Sequence, residues 1–129
     1  MATFLLDTSV IIDVLNNRRG RPAFLVELVK AGNVLACCPI NITEVYAGMR
    51  PKEQAATEEL FASLRHFPIA PPAARLAGEL KRDYARKGIT LNLGDVIIAA
   101  VAIHHELTLF TDNVKDFPME NLSLHPLPA

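Results

Sequence analysis

The chain has only two cysteines, and they are neighbours, Cys37 and Cys38. Adjacent residues in a strand project to opposite faces, so the two are not expected to bond each other, and two thiols alone make no metal site. Both read as small strand residues. An excess of one charge is also lacking: 13 Lys and Arg stand against 14 Asp and Glu, a formal net charge of −1. No global basic field therefore advertises a nucleic-acid partner, although a local basic rim is compatible with that total. The longest apolar run, Val96 to Ile103, falls far short of the roughly 20 residues that a membrane helix needs. The N-terminus lacks a basic n-region and enters a strand at once, so a cytoplasmic protein is expected. Histidine is sparse: His66, His104, His105 and His125 include no pair at the i, i+4 spacing of a helical metal site. There is no repeat, low-complexity tract or linker. At 129 residues, half of them hydrophobic, a single domain over 1–129 is expected.

What is present alternates. Phe4–Leu6 reads as a short strand, and Ser9–Asn16 has helical spacing. Pro22 opens a second helix through Lys30, with Phe24, Leu25, Leu28 and Val29 on its apolar side. Val34–Cys38 is a second strand that Pro39 breaks. A helix follows over Asn41–Met49, with Asn41 or Thr43 able to cap it. Pro51 starts another helix through Leu64, and the Pro-interrupted "HFPIA" suits an edge strand. Pro72–Lys87 is a long amphipathic helix ended by Gly88, and Leu93–Glu106 is the most apolar helix and should be central. Leu107–Phe110 and Leu122–Leu124 are further strands, with "TDNVKDF" a turn between them. Strands alternating with helices predict a three-layer α/β/α fold around a mainly parallel sheet.

In such sheets, sites form beyond the carboxyl ends of the strands. Asp7 ends the first strand. Glu44 lies in the first turns of the helix after the second. Asp95 lies in the first turn of the apolar helix, and Asp112 and Asp116 follow the Leu107–Phe110 strand. Taken singly, each acid is a helix cap, a dipole partner or an ordinary surface residue. Taken together, they place carboxylates from four chain segments at one sheet edge. Gathered carboxylates repel and raise one another's pKa unless a cation sits among them. Oxygen ligands without His or Cys suit Mg²⁺ or Mn²⁺ over Zn²⁺. Such a cation would activate water and neutralise phosphate charge, the two needs of phosphodiester hydrolysis.

Four blocks carry a family resemblance. "LLDTSVIIDVL", "NITEVYAG", "LGDVIIAAVA" and "LFTDNVKDF" together resemble the PIN-domain family, and more narrowly its VapC-type toxin ribonucleases, in order and over essentially the whole chain. The resemblance implies that Asp7, Glu44 and Asp95 are metal ligands. The fourth acid is then Asp112 or Asp116, or is absent in function, because Asn113 stands where the wider family often has Asp. Thr8, Ser9, Thr111 and Asn113 are the supporting polar residues. It also implies a Mg²⁺-dependent endoribonuclease acting on structured RNA, commonly tRNA or rRNA, whose antitoxin, a VapB-type partner, lays a C-terminal segment in the active-site groove.

Arg18, Arg19 and Arg21 in one loop, with Arg50 and Lys52 in another, are either solvated loop charges or contacts to an RNA backbone. Tyr46 and Met49 suit a groove lining or a dimer face. The helices at Pro22–Lys30 and Pro51–Leu64 carry more apolar residues than one small core needs, which predicts a homodimer with antitoxin bound. Three alternatives compete. A haloacid-dehalogenase-type phosphatase would want a second Asp where Ser9 stands, and a receiver-like signalling domain would want an acid beside Asp7. A degenerate PIN fold used only to bind RNA or protein would keep the fold and lose the chemistry.

Overall fold

Phe4, Leu5 and Leu6 are buried from both sides, and the rest of the protein is laid against them. The computed structural model describes residues 2–127. These three residues belong to β1 (Thr3–Leu6), the middle strand of a five-stranded sheet. Along the chain follow α1 (Thr8–Leu15), α2 (Arg21–Lys30), β2 (Val34–Cys37), α3 (Pro39–Ala47), α4 (Gln54–Ser63), β3 (Arg65–His66), α5 (Pro71–Arg86), α6 (Leu93–His104), β4 (Thr108–Thr111) and β5 (Ser123–Pro126). The strand order is β3-β2-β1-β4-β5, and every pairing is parallel.

Strand side chains alternate between two cores, as the two-residue repeat of a strand requires. Leu5, Ala36 and Leu109 face α5 and α6, with Val96, Ile98 and Val101 among their neighbours. Phe4, Leu6 and Phe110 face α1, α2 and α4, with Val10, Ile11, Leu25 and Phe61. The Phe4 and Phe110 rings stack at 4.4 Å between centroids. The expected three-layer architecture is present, and α6 is the central helix. Cys37 and Cys38 are buried in opposite cores and unbonded. Burial pushes the Cys37 thiol up to about 12 and the Cys38 thiol to about 11, so neither is a thiolate at neutral pH. Among the described residues, no helix is long and apolar enough to cross a membrane.

Most element boundaries shift by a residue or two from the pattern, and three of the differences have a plain cause. The helix expected over Asn41–Met49 begins at Pro39, whose missing N–H costs nothing at the first helical position. Neither expected residue caps it from the N-cap position, which Cys38 occupies. Asn41 instead accepts the Cys38 N–H from inside the helix at 2.8 Å, and the Thr43 hydroxyl donates to the Pro39 carbonyl. The helix expected from Pro51 starts as a 3₁₀ turn, Pro51–Glu53, before α4. The edge strand is only Arg65–His66. The Phe67 N–H still reaches the Cys37 carbonyl at 2.9 Å, but Pro68 has no donor with which to extend the ladder.

Candidate active site

Asp7 lies at the point where β1 ends and α1 begins. Its N–H continues the ladder to the Phe110 carbonyl at 2.9 Å, and its extended backbone makes it the N-cap of α1. One carboxyl oxygen accepts the Thr8 N–H at 2.8 Å. The other accepts the Thr111 hydroxyl at 2.7 Å and lies 3.4 Å from the Ser9 hydroxyl. Burial raises the Asp7 pKa above the usual carboxylate range; these hydrogen bonds work against that, and the nearby Asp112 charge adds to it. Capping therefore uses one oxygen, and the other is turned toward the end of β4.

Glu44 arrives from α3. The Thr8 hydroxyl donates to its Oε1 at 2.6 Å and accepts the Asn41 amide at 3.0 Å. Asn41 is fully buried, and its amide also reaches the Leu6 carbonyl at 3.2 Å. One asparagine thus ties the end of β1 to the start of α3 and fixes the hydroxyl that holds Glu44. Asn41→Ala would leave the Leu6 carbonyl and the Cys38 N–H short of a partner. We expect a loss of about 3 kcal/mol and a thermal midpoint lower by roughly 10 °C, measured by calorimetry.

The third acid comes from α6. Asn92 caps that helix, accepting the Gly94 N–H at 2.8 Å and lying 3.4 Å from the Asp95 N–H. Gly94 lets α6 approach α3: a Cβ there would stand 2.5 Å from Glu44 Oε2. Asp95 is pushed up to about 6, first by burial and then by the charges of Asp7, Asp116 and Glu44. That coupling joins acids from four separate segments.

Its sign gives a stability prediction. The folded-state pKa lies above the ordinary 3.8, so the metal-free fold holds this proton more tightly than the unfolded chain does. The resulting stabilisation is complete below about pH 4 and is lost as pH rises through 6. Allowing for solvent at this half-buried group, the loss is about 1 kcal/mol. Asp95→Asn should therefore raise the metal-free midpoint by roughly 3–5 °C at pH 7.5 and leave it unchanged near pH 4. A variant less stable than the parent at pH 7.5 would leave Asp95 a purely structural residue.

The β4 end supplies the fourth block. Thr111 is buried and holds Asp7, and its oxygen also accepts the Asn113 N–H at 2.9 Å. The Asn113 amide lies 3.3 Å from Ser9 Oγ. The two remaining acids separate. Asp116, on the 3₁₀ turn Val114–Asp116, is felt by Asp95. Asp112 pairs with cations: its Oδ2 lies 2.6 Å from Arg19 Nη1 and 3.4 Å from Arg21 Nη2, and the Ser9 hydroxyl is 3.2 Å from Oδ1.

The basic residues also divide. Spacing alone groups Arg21 with the loop charges open to RNA, and the structure corrects this. Arg21 is only 1% exposed and lies 3.8 Å from the buried Asp13, so it has no face left for a phosphate. Arg18 and Lys52 are exposed, and Arg50 is bound to Glu53 at 3.1 Å. The histidines serve elsewhere. His66 bridges the Cys37 thiol and the Phe61 carbonyl, His105 packs on Phe67, and His125 lies edge-on to Phe4 and Phe110.

Among the described residues, no three acidic, histidine or cysteine side chains stand within ligating reach of a single point, so the acids form a loose cluster and not a closed cage. The donor set still fits a hard cation: it is all oxygen, and it carries mutual repulsion that such a cation would relieve.

A parallel sheet of this order, with acids from four segments at its carboxyl edge, is an architecture built to hold a site. The PIN domain family matches residues 4–118, and the chain belongs to that family. Within it, the chain is similar to two proteins of Mycobacterium tuberculosis. It is 33% identical to Ribonuclease VapC19, covering 89% of this chain and 92% of that one. It is 37% identical to Ribonuclease VapC10, covering 89% and 86%. Among solved structures it resembles the VapBC2 complex of Rickettsia felis bound to a DNA fragment from its promoter. There the TM-score is 0.83 at 26% identity, over 98% of this chain and 99% of that one. A toxin–antitoxin complex from Klebsiella pneumoniae aligns with a TM-score of 0.75 at 26% identity, over 98% and 100%.

Proposed function

We propose that the protein is a divalent-cation-dependent endoribonuclease, the toxin of a toxin–antitoxin pair, with Asp7, Glu44 and Asp95 as the metal-holding acids and Asp116 as the fourth. The observation that carries this is the convergence of acids from separate segments: Thr8 bonds both Asp7 and Glu44, Gly94 brings the start of α6 against Glu44 Oε2, and Asp95 beside it feels the charges of Asp7, Asp116 and Glu44. A chain that needed these acids only as caps would have no use for bringing them together. Relatives named as ribonucleases over nearly their whole length support the RNA substrate.

Bound Mg²⁺ or Mn²⁺ would supply Lewis acidity for activating water and charge to offset that of the phosphate. The chain's own residues do the positioning. Thr111 and the Thr8 N–H fix the two oxygens of Asp7, and the Thr8 hydroxyl, itself set by Asn41, fixes Glu44. Ser9 accepts the Asn113 amide and directs its one hydroxyl proton to Asp112 or Asp7, and so ties the end of β4 to the acid cluster.

The partner reading has separate support. An apolar groove of about 740 Å³ runs between α2 and α4, lined by Leu25, Leu60 and Leu64, and Val26 and Val29 beside it are half-exposed. These are the helices whose surplus apolar residues suggest an antitoxin or a second copy, and the similar solved chains come from toxin–antitoxin complexes. The test of the function is RNA cleavage by the purified chain, with Asp95→Asn as the inactive control. Binding of RNA or of an antitoxin without cleavage would favour the degenerate, binding-only fold.

A further inference from the structure

We propose that Arg19 is the phosphate-binding residue of this site and that Asp112 is the strut holding it there, not a metal ligand; the inference rests on the ribonuclease reading above. The geometry is a chain of contacts. Arg19 Nη1 lies 2.6 Å from Asp112 Oδ2, Asp112 Oδ1 lies 3.2 Å from the Ser9 hydroxyl, and that hydroxyl lies 3.4 Å from Asp7 Oδ2. An exposed cation is thereby linked through two residues to the first acid of the cluster. Arg50, by contrast, has two guanidinium nitrogens engaged by Glu53, Nε at 3.1 Å and Nη2 at 3.4 Å, on a separate exposed turn.

Arg21 explains why Asp112 stays where it is. Its guanidinium is buried and reaches both Asp13 and Asp112. Removing a carboxylate from a buried guanidinium is strongly unfavourable, so Asp112 is held in place. Its Oδ2 has both guanidiniums within ion-pair distance, which leaves it poorly suited to a metal and well suited to orienting Arg19.

Stability does not account for Arg19 itself. The residue is 55% exposed, and ion pairs of that kind contribute little. Its φ is positive, 55°, which disfavours a non-glycine residue by about 1–2 kcal/mol; the positive φ of Asn17, 52°, just past α1, is the ordinary asparagine alternative to glycine at a helix end. The loop holds an unfavourable shape that puts a guanidinium beside the acids. A guanidinium has five N–H donors, and the Asp112 contact engages one nitrogen. The open side of the fork suits a phosphate. A cluster of four acids in a protein of net charge −1 needs such a guide if an RNA backbone is to approach.

The experiment is steady-state cleavage of an oligoribonucleotide that the wild-type full chain cuts, in Mg²⁺, over a series of KCl concentrations. Arg19→Gln should raise KM about 10-fold with kcat within about 3-fold, and should lower the salt slope of log kcat/KM by about 1. Arg19→Lys, which keeps the charge and loses the fork, should recover part of the loss; a merely structural role would move the thermal midpoint and not the salt slope. Asp112→Asn should raise KM by roughly 3- to 5-fold, leave half-saturating Mg²⁺ unchanged, and add nothing in the Arg19→Gln background. Wild-type KM and salt slope in Arg19→Gln would overturn the proposal. So would an Asp112→Asn variant with kcat down about 100-fold and a raised Mg²⁺ requirement, which would make Asp112 a ligand. A wild-type chain that cuts no RNA would overturn the ribonuclease reading itself, and this inference with it.

Discussion

RNA cleavage by the purified protein should fall by roughly 10³-fold or more in EDTA and return with Mg²⁺ or Mn²⁺. The products should carry 5′-phosphate and 3′-hydroxyl ends. A metal-free ribonuclease ordinarily sets a base and an acid titrating near neutrality around the 2′-hydroxyl, most often a histidine pair, and leaves 2′,3′-cyclic phosphates. Here His66, His105 and His125 are engaged with Cys37, Phe67 and the Phe4–Phe110 stack, and His104 is at the far end of α6 from Asp95. The groups that converge are carboxylates, and they suit attack by water with the 3′-oxygen leaving. Asp95→Asn should match EDTA in its effect on rate. Its thermal midpoint should also stop responding to Mg²⁺, a readout independent of turnover. Cyclic phosphate ends formed in EDTA would remove the acid cluster from the chemistry.

The other large effect is expected from a residue with no side chain. A methyl group at Gly94 would lie 2.5 Å from Glu44 Oε2 and 3.1 Å from Asn92 Oδ1. The Glu44 carboxyl is the far end of a flexible side chain, so it can move, and doing so shifts the group whose other oxygen accepts the Thr8 hydroxyl at 2.6 Å. Displacing a catalytic group by about 1 Å can cost 10²-fold, and we expect Gly94→Ala to lose roughly that in kcat. The fold should tolerate it. Gly94 has a helical backbone, where Ala is the better helix former by about 1 kcal/mol, so the midpoint should stay within about 2 °C of wild type. A fully active Gly94→Ala would show that Glu44 need not sit against α6.

Much of this arrangement is legible from local patterns. Alternation of apolar runs with helical spacing identifies the layers, because burial on two faces and the 3.6-residue repeat act over a few residues. Asp7, Glu44 and Asp95 stand out because each lies just past a strand or just inside a helix. What is not legible depends on contacts across long separations. Asn41 reads as a capping residue; that it also holds Leu6 and Thr8 requires β1 and α3 to be side by side. Arg21 reads as one of three loop cations, and only the placement of Asp13 and Asp112 buries it. Asp112 and Asp116 are equivalent by spacing; that Asp112 lies against Arg19 and Arg21 while Asp116 is felt by Asp95 depends on the α1–α2 loop and α6. The pattern N-L-G-D does contain a signal for Asn92, three residues before Asp95 at a helix start.

The sheet order has a consequence for synthesis. β1 is made first and sits in the middle, yet one of its two neighbours, β4, spans Thr108–Thr111. The nascent N-terminal strand must therefore wait for most of the polypeptide before its far edge is paired, and long-range parallel pairing of this kind is slow to form. Asp7 receives the Thr111 hydroxyl only at that stage. A fragment released early by the ribosome carries Asp7 and Glu44 but neither the strand that locks the first nor the helix that abuts the other. Any activity that needs the assembled acid cluster is therefore absent until α6 and β4 have been made.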